Sequence, residues 1–116
     1  TSPLRKNNDV LKCINFVEKK NYDCSLTVTK TNSDPYFNMV IKKNKNFYPI
    51  FNNKNSRSKN SFYTITTVAY CAKISFIKKT KHILDGNIKF LEVDFRSSLD
   101  IDEISDLKIA ELLLKK

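Results

Sequence analysis

The sequence predicts an α+β fold: an N-terminal helix, an antiparallel meander of about five strands and a C-terminal amphipathic helix. Three patterns carry that expectation. Apolar residues recur with helical spacing near the start of the chain. They alternate with period two through much of its middle, and return to helical spacing behind an acidic cap near its end. At 116 residues the chain is expected to form one domain. We expect residues 1–8 to be a flexible polar tail and residues 9–116 the single α+β domain, as a fragment of a longer protein.

The first helix is expected from Asn8 or Asp9, either of which can cap it, to about Lys20. Val10, Cys13, Ile14 and Val17 fall at i, i+3, i+4 and i+7 and share one face. Cys24, Leu26 and Val28 then alternate with Ser25, Thr27 and Thr29, which predicts a strand over 24–31. Asn32-Ser33-Asp34-Pro35 has turn chemistry. Phe37, Met39 and Ile41 alternate with Tyr36, Asn38 and Lys42, so a second strand is expected to form an antiparallel hairpin with the first. Residues 47–51 read as a short third strand, with Pro49 placing it at an edge or a bulge.

Residues 52–60 contain no apolar side chain and read as a mobile loop. Residues 62–77 form the longest β-like run, and its pattern slips at Ala72-Lys73, where a bend or a second element is expected. A helix over 68–76 is the competing reading of its second half. Asp85-Gly86-Asn87 is a turn, leading by a hairpin into a strand over 88–95. Asp100 followed by Glu103 matches a capping box, and Ile101, Ile104, Leu107, Leu112 and Leu114 supply an apolar stripe for the last helix. Ile104 and Leu107 are expected in the core, as are most of Phe37, Phe47, Phe51 and Phe62. This element order resembles that of RWD domains and of pleckstrin-homology-like barrels. The likeness is one of order alone, and the chain has no Trp for a pleckstrin-like final helix.

Composition narrows the function classes. No apolar run approaches the ~18–20 residues of a membrane helix. A single Gly in 116 residues disfavours glycine-rich phosphate cradles. Cys13, Cys24 and Cys71 are odd in number, with no CxxC spacing and only His82 beside them. That pattern fits buried thiols in a reducing compartment better than a disulfide framework or a zinc site. No metal, cofactor or small-molecule substrate is expected. Asp100, Asp102, Glu103 and Asp106 stand where a helix dipole favours them, and no nucleophile–base set is visible, so the chain reads as a non-enzyme.

Charge is the most uneven property of the sequence. Residues 35–84 carry nine Lys, one Arg and no acidic residue, whereas residues 85–116 carry five basic and eight acidic residues. A one-signed stretch attracts polyanions. Lys42, Lys43, Lys45, Lys54, Arg57, Lys59, Lys78, Lys79 and Lys81 are the expected polyanion contacts, with Tyr36 and Tyr48 as exposed rings among them. Lysines outnumber arginines 18 to 3, which favours contact with phosphates over reading of bases.

These features predict an interaction module within a larger intracellular assembly, nuclear rather than cytoplasmic. The expected partner is a nucleic acid or an acidic protein surface. Two other readings stay open: a phosphoinositide-binding module contacting an anionic lipid headgroup, and a dimerisation or scaffold domain forming a homodimer through exposed apolar surface. Ser2-Pro3-Leu4-Arg5 fits the pattern of proline-directed kinases, which makes Ser2 the expected phosphorylation site.

Overall fold

The computed structural model describes residues 1–51 and 59–115. The α+β class holds, with a helix first, a mixed sheet, and a helix last. The elements in order are α1 (Asn7–Lys19), β1 (Cys24–Thr31), β2 (Val40–Lys43), β3 (Asn46–Pro49), β4 (Phe62–Ala72), α2 (Ile74–Lys79), a 3-10 turn (Ile83–Asp85), β5 (Ile88–Glu92), α3 (Phe95–Ser98) and α4 (Ile104–Leu114).

Strand pairing departs from the expected meander. One sheet has the order β4-β1-β5, and a separate two-stranded sheet joins β2 to β3. β1 and β5 run parallel, in the register Cys24↔Ile88 to Val28↔Glu92. β4 lies along the other side of β1. The Lys73 N–H reaches the Asp23 carbonyl at one end, and Thr27 meets Thr66 and Ala69 further along, so the two run in opposite directions. β4 and β5 therefore sit on opposite sides of β1 and do not form the expected hairpin. Neither an antiparallel meander nor a pleckstrin-like closure of one accommodates the parallel β1–β5 pair.

The position of β1 at the centre of the sheet also buries its polar residues with its apolar ones. Cys24, Ser25, Leu26 and Thr27 are all buried, since a central strand is covered on both faces. The Thr27 hydroxyl is accommodated by bonding, whereas Ser25 Oγ is buried without a hydrogen-bond partner among the described residues. The Thr66 hydroxyl donates to Thr27 Oγ1 at 2.7 Å, and Thr27 Oγ1 also accepts from the Ala69 N–H at 3.2 Å. Cys13 and Val17 from α1, Val68 from β4, Val93 and Ala110 complete this core with Cys24 and Leu26. α1 packs against β5, and Lys89 of β5 holds its ammonium 5.2 Å from the Phe16 ring centroid. Asn21, with φ of 59°, turns the chain out of α1 in a left-handed conformation that Asn tolerates.

Residues 1–8 are not a free tail. Ser2 and Leu4 are buried, the Arg5 guanidinium donates to the Val68 carbonyl, and Lys6 pairs with Asp94. The chain divides into two compact units, Thr1–Thr29 with Ile65–Lys116, and Lys30–Thr64.

Candidate interaction surface

The Lys30–Thr64 unit carries most of the sequence-predicted contacts. The expected strand over 36–42 is shortened by Asp34. Its carboxylate accepts the Tyr36 N–H at 2.8 Å, and its carbonyl accepts those of Phe37 and Asn38. That pattern curls residues 35–38 into a turn, so β2 begins only at Val40. β2 then pairs antiparallel with β3, in the register Val40↔Pro49, Ile41↔Tyr48, Lys42↔Phe47 and Lys43↔Asn46. Asn44, with φ of 57°, begins the connection.

Side chains alternate across this hairpin, and both of its faces carry apolar groups. Val40, Lys42, Phe47 and Pro49 share one face; Ile41, Lys43, Asn46 and Tyr48 share the other. Every residue of both strands is exposed, Phe47 to 64%. Phe37, Met39, Ile50 and Phe51 are exposed as well. The expectation that these phenylalanines fill the core is therefore corrected. Phe47 lies on a two-stranded sheet whose described residues are all exposed, Phe37 and Phe51 flank that sheet, and only Phe62 of the four is half-buried.

The expected polyanion contacts do not gather on a single element. Lys42 and Lys43 lie on β2, Lys45 in the hairpin turn and Lys59 near β4, all exposed. Lys42 holds its ammonium 5.6 Å from the Phe47 ring centroid, so part of its charge is engaged within the hairpin. Lys54 and Arg57, with the expected loop that carries them, lie outside the described residues. Lys78 and Lys79 end α2 and Lys81 follows it, all exposed but in the other compact unit. Tyr36 is exposed yet stacked on Phe51, centroid to centroid 4.6 Å, while Tyr48 stands open on β3.

Ser2, the expected phosphorylation site, is only 1% exposed, and its Oγ lies 2.7 Å from Thr67 Oγ1. Its hydroxyl is thus enclosed and offers a kinase no access in this fold. Cys13 and Cys24 are buried and Cys71 half-buried, and burial raises all three thiols above their usual range. Among the described residues no group of three or more His, Cys, Asp or Glu is placed to hold a metal ion. No helix among them is long and apolar enough to cross a membrane.

Sequence reasoning missed a polar cluster that seals the first unit. The Thr67 hydroxyl donates to Asp100 at 2.8 Å, and this bond, with one from Thr1, holds the Asp100 carboxyl below its ordinary value. Asp94 caps α3 by accepting the Ser97 N–H at 2.7 Å. The hydrogen bond from Lys6, followed by that from Ser97, lowers Asp94 to about 2.

No protein-family model matches the chain. It is similar to a post-translational flagellin modification protein B of Campylobacter coli, at 25% identity over 118 residues, covering all of this chain and 50% of that protein. The chain thus spans about half the length of the curated relative it matches. The expectation of a non-enzyme is corrected on this finding, since the relative is named for post-translational flagellin modification.

Proposed function

We propose that the Lys30–Thr64 unit is an association arm, through which the chain binds a second copy of itself within a protein that acts in post-translational modification. The observation that supports this is the β2–β3 hairpin, a two-stranded sheet with Val40, Ile41, Phe47 and Tyr48 exposed on its two faces. An uncovered two-stranded hairpin is at best marginally stable in water, and a contiguous exposed apolar patch marks an interaction site. Among the described residues both hairpin edges also offer unpaired backbone groups. A second copy is the favoured occupant because most soluble oligomers are homo-oligomers. The similarity to a flagellin modification protein over half its length supports the wider setting.

Sedimentation equilibrium of the 116-residue chain tests this reading. The native chain is expected to associate reversibly as its concentration rises. Ile41→Asp/Tyr48→Asp is expected to remain a monomer with unchanged far-ultraviolet circular dichroism. A native chain that stays monomeric at every concentration overturns the proposal.

A further inference from the structure

Resting on that self-association, we infer that the surface of the second copy which covers the hairpin is α4, together with the acidic segment that leads into it. α4 is a second unpartnered surface. Of its residues only Ala110 is buried, while Ile104, Leu107, Leu112 and Leu114 are exposed, Ile104 to 75%.

The two surfaces match in charge. The segment 100–106 holds Asp100, Asp102, Glu103 and Asp106 and no basic residue. The hairpin holds Lys42, Lys43 and Lys45 and no acidic residue. Opposite potentials across an interface fix its register and reject wrong pairings.

The two surfaces also match in length and in layout. Eleven helical residues span roughly 16 Å, and four paired strand residues span roughly 14 Å. On the Ile41–Tyr48 face of the hairpin Lys43 lies toward the turn, while Ile41 and Tyr48 lie toward the open end. Asp102 and Glu103 lead into α4 and Asp106 stands in its first turn, Lys108 and Glu111 lie further along, and Leu112 and Leu114 lie at the other end. One orientation of α4 along this face therefore sets the acidic segment 102–106 against Lys43, and Leu112 and Leu114 against Ile41 and Tyr48.

A charge exchange between two variants of the chain tests this. The first variant is Lys42→Glu/Lys43→Glu/Lys45→Glu. The second is Asp102→Lys/Ser105→Lys, which leaves the capping residues Glu103 and Asp106 in place. In sedimentation equilibrium each variant alone is expected to associate at least about tenfold more weakly than the native chain. An equimolar mixture is expected to recover native-like association, because the reversed hairpin of one variant then meets the reversed helix of the other. If the second variant associates as the native chain does, α4 is not the covering surface, and the hairpin reading stands alone. If the native chain does not associate but binds a labelled single-stranded oligonucleotide, the occupant is a polyanion, and both the inference and the reading beneath it are overturned.

Discussion

Ser2 Oγ lies 2.7 Å from Thr67 Oγ1, and Thr67 lies in turn 2.8 Å from an Asp100 carboxylate oxygen. Thr67 has one hydroxyl proton and Asp100 accepts it, so Ser2 is the donor to Thr67. This relay joins the N-terminal segment, β4 and the approach to α4. Thr67→Val removes its middle and leaves the buried Ser2 hydroxyl without a partner, at a cost of about 1–3 kcal/mol. Ser2→Ala removes the orphan with its bond and is expected to cost less, about 0.5–1.5 kcal/mol. Urea unfolding of both variants checks the order. Equal and negligible costs would restore the expectation of a free tail over residues 1–8.

The Lys6–Asp94 pair makes stability depend on acid. Asp94 titrates at about 2 in the folded chain, chiefly because Lys6 bonds to its carboxylate, against an ordinary value of 3.8. A lowered folded value means that the contribution is present above the ordinary value and fades as pH falls toward 2. Both side chains are about half exposed, so the effect is modest. Asp94→Asn is expected to flatten the loss of stability between pH 5 and pH 2, measured by thermal unfolding across that range. Parallel curves for the two proteins would show that the pair contributes nothing.

Residues of α4 differ sharply in what substitution does to the monomer. Ala110 is 2% exposed, so Ala110→Leu overpacks the core and is expected to cost about 1–3 kcal/mol. Ile104→Ala is expected to stay within about 0.5 kcal/mol at concentrations where the chain is monomeric, because its side chain meets solvent. This reverses the sequence expectation that Ile104 is a core residue. Chemical denaturation at low concentration measures both, and a large cost at Ile104 would mean that α4 packs on its other face.

Thiol reactivity should follow burial. Cys13 and Cys24 are fully enclosed and Cys71 is half-buried, with all three held above the ordinary thiol range by burial. With a chromogenic disulfide reagent at pH 8, Cys71 is expected to react first. Cys13 and Cys24 are expected to react only as the chain opens, whereas denaturant should expose all three together. Early modification of Cys13 would contradict the packing of α1.

The parts of this fold that were legible in the sequence are those set by neighbouring residues. Val10, Cys13, Ile14 and Val17 announce α1, and Cys13 and Val17 are indeed buried. The slip at Ala72-Lys73 marks the place where β4 ends and α2 begins. The capping chemistry at the last helix was visible too, although the pair that forms is Glu103 with Asp106, three residues beyond the one read from Asp100. What stayed hidden depends on distant partners. Nothing local says that β5 pairs with β1 in parallel, or that Ser25 and Thr27 therefore face inward. The hairpin surface was half legible. Its lysines are exposed, and Phe37, Phe47 and Phe51, which apolar patterning places in a core, are exposed as well.

Hydrogen exchange of the backbone amides over residues 40–48, followed from dilute to concentrated protein, tests the association arm most directly. If a second copy covers the hairpin, those amides exchange fast when the chain is dilute and gain protection as concentration rises, while the amides of the buried strand β1 change little. Exchange across 40–48 that is equally fast at every concentration would contradict the account.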